Sequence, residues 1–194
     1  MSIRKIVFDI ETKNIFEEVG SNDPKDLDIS VVSIYNSVTD TFESFTEDQF
    51  SKLWPILEQA DMLIGYNSDH FDIPLLNKYY PGDLTKIKSL DIMREIRSVI
   101  GRRIKLDYVA ASTLGRTKIS HGLEAVRWWK EGKIDEIIKY CIEDVRITKD
   151  IYEYALKNNK LLYKENGGPI QEIKLDTKNW EKIEHSSMTY TLPF

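Results

Sequence analysis

The sequence predicts an α/β domain, and three stretches carry that prediction. Ile6 to Thr12 is rich in β-branched and aromatic residues, the composition of a strand. Ile29 to Tyr35 and Thr41 to Phe45 repeat that character on either side of the turn residues Asn36 to Asp40, which completes a three-stranded meander. Lys133 to about Asn158 instead spaces Ile134, Ile137, Ile138, Cys141, Val145 and Tyr152 at the three- and four-residue intervals of one long helix. A chain of 194 residues with 41% apolar content can bury a core, so one globular domain is expected.

The remaining elements follow in order. Asn14 to Ile29 is acidic and holds Gly20, Ser21, Asn22, Asp23 and Pro24, which predicts a connecting loop. Glu47 to Gln59 has helical spacing at Phe50, Leu53, Trp54 and Leu57, with Thr46 as N-cap and Pro55 against the pattern. Asp61 to Tyr66 suits a fourth strand. It leads into Asn67-Ser68-Asp69-His70-Phe71-Asp72, where Asn67, Ser68 or Asp69 is expected to cap a helix carrying Asp72 in its first turns. Leu106 to Leu114 predicts a short helix ending at Gly115, and His121-Gly122 opens another that runs through Trp128 and Trp129 before Gly132 breaks it. Those two tryptophans point about 100° apart, so they form no single stacking platform and at least one belongs in the core. Leu161 to Asp176 reads as a hairpin around Asn166-Gly167-Gly168-Pro169 that either extends the sheet or packs across it.

Several classes are excluded. No run of about 18 apolar residues exists, and Met1 to Lys5 leads straight into a strand, so neither a membrane span nor a signal peptide is expected and a cytoplasmic location is. Cys141, the only cysteine, has no intramolecular disulfide partner and is expected to pack as a small apolar residue. The net charge of −5 is uneven: Leu84 to Lys118 holds nine basic residues against three acids, a net charge of +6 that leaves −11 elsewhere. Such a segment either contacts phosphates or forms a solvated helix face.

The first strand carries two acids where a buried strand should be apolar. Asp9 and Glu11 project from one face, about 6–7 Å apart along the backbone, which suits a divalent cation held by oxygen ligands; the alternative is an exposed strand end with ordinary surface acids. Asp72 near a strand end is either a third ligand or a first-turn acid favoured by the helix dipole. Tyr140 and Asp144 lie one turn apart on the long helix, so a phenol and a carboxylate share a face; the alternative for Asp144 is a pair with a nearby Lys or Arg.

Taken together, Phe8-Asp9-Ile10-Glu11-Thr12, the Asn67 to Asp72 junction and Tyr140-Cys141-Ile142-Glu143-Asp144 resemble the three motifs of the DEDD exonucleases of the ribonuclease H-like superfamily. The Tyr-x-x-x-Asp spacing is similar to the tyrosine subclass, since position 139 is Lys where the histidine subclass has His. Proofreading domains of family B DNA polymerases and their standalone relatives show the same pattern, over roughly Ile3 to Leu156. The resemblance implies a mixed five-stranded sheet flanked by helices, its fifth strand near Ile87 to Met93, with residues 1–158 as the exonuclease domain and 159–194 as a hairpin and tail packed on it.

It also implies a 3′-5′ exonuclease acting by two-metal-ion hydrolysis on single-stranded or frayed nucleic acid, DNA favoured over RNA. Asp9, Glu11, Asp72 and Asp144 would hold two Mg2+ or Mn2+ ions. Tyr140, with a tyrosine's ordinary pKa near 10, would orient the attacking water rather than act as a strong base. Main chain at Ile10 and Thr12 would meet the terminal nucleotide. Asn67 and Phe71 would shape its pocket, and Arg116, Lys118 and His121 would contact the phosphate behind it. For Phe71 a core role is the alternative, for His121 a loop cap, and for His70 packing or a substrate-edge contact. A polymerase partner would be a separate chain, and the terminal Tyr190 to Phe194 faintly resembles a sliding-clamp peptide. The other readings are a non-catalytic nucleic-acid- or partner-binding module of the same fold and a hydrolase of small nucleotide phosphoesters.

Overall fold

The computed structural model describes residues 3–116, 122–165 and 167–183. Lys118, His121, the hairpin residue Asn166 and the clamp-like tail lie outside the described residues.

Residues 5–12 form β1 (Lys5–Thr12), the centre of the sheet. β2 (Ile29–Asn36) and β3 (Thr41–Phe45) follow as the expected meander, and β4 (Met62–Gly65) and β5 (Lys88–Asp91) complete the order β3-β2-β1-β4-β5. β1 pairs antiparallel with β2 and parallel with β4, and β5 runs parallel to β4. The sheet is therefore mixed and five-stranded, as the RNase H-like pattern implied.

Alternation along β1 divides the interior. Val7 and Ile64 turn towards a core shared with Val145, Ile147, Ile151, Leu161 and Trp180. Ile6, Phe8 and Leu63 turn the other way, onto Leu53, Leu57, Leu75 and Leu76. The first face is covered by α5 (Leu106–Leu114) and the 25-residue α7 (Ile134–Asn158), the second by α2 (Phe50–Glu58) and α3 (Asp72–Asn77). α6 (Gly122–Lys130) packs on α7. Pro55 lies within α2, whose first residue follows a 3-10 turn.

Three local expectations change. Part of the acidic loop forms a single turn, α1 (Phe16–Val19), closed by Gly20 at φ 67°. The fifth strand stops at Asp91 instead of reaching Met93, because the Asp91 carboxylate accepts the Met93 and Arg94 N–H groups and starts α4 (Ile92–Ile100) there. At the β4–α3 junction none of Asn67, Ser68 and Asp69 caps the helix with its side chain. Asn67 instead sits at φ 68°, and its carbonyl accepts the N–H groups of His70 and Phe71.

The C-terminal hairpin pairs β6 (Lys160–Tyr163) with β7 (Gln171–Lys174) as a separate two-stranded sheet. It packs across α5 and α7, with Leu161, Tyr163 and Ile173 buried in the first core. No helix among the described residues is long and apolar enough to cross a membrane.

Candidate active site

β1 delivers Asp9 and Glu11 to the face covered by α7, and α7 delivers Asp144 opposite them. One carboxylate oxygen from each of the three lies within 4.8 Å of the others. Glu11 is 8% exposed and Asp144 5%, so this is a recessed cluster and not a surface strand end with ordinary acids. Buried carboxylates this close repel one another, and a divalent cation relieves the repulsion. Hard oxygen donors at this spacing fit Mg2+ or Mn2+.

Asp72 reaches the same strand by another route. Paired contacts between β1 and β4 run only from Lys5–Met62 to Val7–Ile64, and beyond them the Ile10 N–H is donated to the Asp72 carboxylate, which also receives its own N–H. Asp72 is buried, and that burial pushes its carboxyl up to about 7; the two N–H donors pull it back and the charge of Asp91 adds to the rise. It is thus fixed beside the main chain that joins Asp9 to Glu11, although it stands outside the 4.8 Å trio.

Tyr140 is buried one turn before Asp144, with Trp128 meeting its ring edge-on at 5.9 Å between centroids. Trp129 instead lies under the Lys13 ammonium, 5.0 Å from the ring centre. The two tryptophans thus diverge, as adjacent helical positions must.

The residues expected to meet substrate are distributed unevenly. The Ile10 side chain is buried in the second core, so only its main chain borders the carboxylates. Thr12 is half-buried and donates its hydroxyl to the Asn14 carbonyl at 2.8 Å. Phe71 is half-buried on the second core, with Phe16 of α1 meeting its ring edge-to-face at 6.2 Å between centroids. Arg116 is exposed and paired with Asp150 of α7 at 2.7 Å, and His70 is exposed.

Two residues gain roles that local sequence did not suggest. The Cys141 thiol donates to the Asp9 carbonyl at 3.4 Å and its carboxylate at 3.6 Å. Burial, with the charges of Asp9 and Glu11, pushes that thiol's pKa up, so it keeps its proton. Its position three residues before Asp144, on the same helix face, was the available signal. Asp91 is 3% exposed and accepts main-chain N–H groups from Asn67, Asp69, Met93 and Arg94, tying the Asn67 to Asp72 junction to the start of α4.

Comparison with known proteins agrees with this architecture. The RNase_H superfamily model matches residues 6–156. Among solved structures, the chain is similar to the family B DNA polymerase from the hyperthermophilic archaeon Pyrobaculum calidifontis, with a TM-score of 0.59 and 19% identity over 80% of this chain. It is also similar to Trypanosoma brucei RNase D, with a TM-score of 0.56 and 19% identity over 81% of this chain. It spans 25% of the polymerase and 59% of the RNase D. No curated protein matches.

Proposed function

The chain belongs to the RNase_H superfamily, and from that premise we propose that it is a metal-dependent 3′-5′ exonuclease of the tyrosine DEDD subclass. It removes nucleoside 5′-monophosphates from the 3′ end of single-stranded or frayed nucleic acid, DNA in preference to RNA. The observation that carries this reading is the recessed trio of Asp9, Glu11 and Asp144.

Asp9, Glu11, Asp72 and Asp144 hold two Mg2+ or Mn2+ ions in this reading. The bound ions supply Lewis-acid activation of water and electrostatic stabilisation of the charge developing on the leaving oxygen. Tyr140 orients the attacking water by a hydrogen bond from its phenol. Water adds to phosphorus, the bond to the 3′-oxygen breaks, and the shortened strand leaves with a 3′-hydroxyl. The protonated Cys141 thiol steadies the Asp9 carboxylate, and Asn67 and Phe71 border the terminal nucleotide. In this reading residues 1–158 are the exonuclease domain and 159–194 its C-terminal extension, of which the hairpin β6–β7 packs on α5 and α7.

A time course on 5′-labelled single-stranded DNA and RNA of one sequence tests the proposal, with magnesium, manganese or chelator and with Asp9→Ala. A metal-dependent ladder shortening from the 3′ end, faster on DNA and lost in the variant, supports it. Binding without cleavage would point to a non-catalytic module, and cleavage confined to mononucleotide esters would point to a small-molecule phosphodiesterase.

A further inference from the structure

Four residues of the basic window are held by the fold itself. Lys88 donates to the main-chain carbonyls of Asn179 and Lys182, Arg94 pairs with Asp69, Arg102 with Glu165 and Arg116 with Asp150. Lys86 and Arg97 are exposed without an ion pair among the described residues, and so are Arg103 and Lys105. The latter two flank Ile104, a buried residue that anchors this loop.

Both also line an open groove of about 650 Å3 with Tyr66, Met93 and Tyr108. Tyr66 connects that groove to the Asn67–Asp72 junction. The β1–β4 register ends at Val7–Ile64, and Tyr66 directly follows β4 and precedes Asn67, the first residue of the junction that carries Asp72. Ile64 and Val7 face one core and Tyr66 packs on it too, and the Asp91 carboxylate accepts the N–H groups of both Asn67 and the groove residue Met93, so the groove borders that junction. The Tyr66 hydroxyl donates to the Ile104 carbonyl at 2.6 Å, fixing the Arg103–Lys105 loop to this strand end. Asp107 and Glu165 also line the groove, but Glu165 is held by Arg102 at 2.6 Å.

Resting on the exonuclease reading above, we propose that this groove is the track for the single-stranded segment 5′ to the terminal nucleotide. Arg103 and Lys105 take its phosphates, and Tyr66 and Tyr108 offer ring faces to its bases. Cations supply the salt-dependent attraction, and ring faces accept any base, so the track is sequence-tolerant.

The test is fluorescence anisotropy with 5′-labelled dT12 and dT3 in calcium, across a salt series. It compares wild type with the double variant Arg103→Ala/Lys105→Ala and with Lys86→Ala/Arg97→Ala, which removes the same charge from exposed positions outside the groove. The groove variant is expected to bind dT12 about tenfold more weakly, with its salt slope shallower by about 1.4, since each phosphate neutralised contributes about 0.7 on single strands. Its affinity for dT3 should change less than about twofold on the same reasoning, and the control variant should match wild type.

An unchanged slope in the groove variant, or an equal loss in the control, would overturn the track. If wild type shortens dT12 from its 3′ end in magnesium, only the track falls in that case. If wild type binds neither oligonucleotide, the track and the exonuclease reading fall together. Wild-type binding with the expected groove loss but no cleavage in magnesium would sink the exonuclease and leave the track standing.

Discussion

Asp91, the last residue of β5, accepts the N–H of Asn67 at 2.8 Å, so the turn after β4 is built on the end of the neighbouring strand. The same carboxylate receives the N–H groups of Asp69, Met93 and Arg94. Replacing Asp91 by Ala strips four main-chain donors of their acceptor in a buried setting. The expected cost is about 2–4 kcal/mol of stability, read by urea unfolding, with cleavage reduced more than folding alone explains. Asp91→Asn should recover part of both. Equal stability of the Ala variant and wild type would refute this role.

Gly65 is required by contact. A Cβ added there would lie 2.4 Å from the Ser68 Cβ and 2.5 Å from its Oγ. Gly65→Ala should therefore cost about 1–3 kcal/mol as overpacking and disturb the junction that carries Asp72. Adding Ser68→Gly in the same chain should restore most of the melting temperature. Failure of that rescue would place the strain elsewhere.

Asp72 predicts an unusual dependence of stability on pH. Its folded pKa is raised from 3.8 to about 7, so between those values the folded chain binds more protons than the unfolded one. Unfolding free energy contributed by this group is full below the ordinary carboxylate range and falls as pH rises towards 7. In chelator, the melting temperature should decline over that window, and Asp72→Asn should flatten the decline. Because cations need the deprotonated carboxylates, stabilisation by magnesium should grow as pH rises from 5 to 7.5. A magnesium effect that shrinks over this range would contradict the assignment of Asp72.

The two acid-bearing elements should also rank differently from the phenol. Single-turnover cleavage should fall about a thousandfold or more for Asp9→Ala but only about tenfold to a hundredfold for Tyr140→Phe, which keeps the ring packed on Trp128. Comparable losses would mean that the phenol does more than orient water.

β1, the meander and α7 were legible because their apolar periods are long and distinct, two for strands and 3.6 for the helix. α4 was not. Leu90, Ile92 and Met93 read as a continuing strand around Asp91, and the turn into a helix depends on the Asp91 carboxylate, whose four bonds include two to residues more than twenty positions away. Within the site, the grouping of Asp9, Glu11 and Asp144 was readable from spacing and resemblance. The Ile10 N–H holding Asp72 and the thiol behind Asp9 were not, since each is a tertiary contact with no local pattern. Phe16 stayed hidden in a turn-rich stretch, because one helical turn is too short to show a period.

The hydrogen bond from Ile10 to Asp72 makes one peptide proton a natural probe. In the middle of a central strand, most such protons point at a neighbouring carbonyl whose charge never changes. This one points at a carboxyl that gains or loses a proton near neutrality. Its nuclear magnetic resonance should move with the state of that carboxyl and with whatever the acidic recess captures. Occupancy can then be followed in solution from a single backbone signal, without labelling the nucleic acid or waiting for a bond to break.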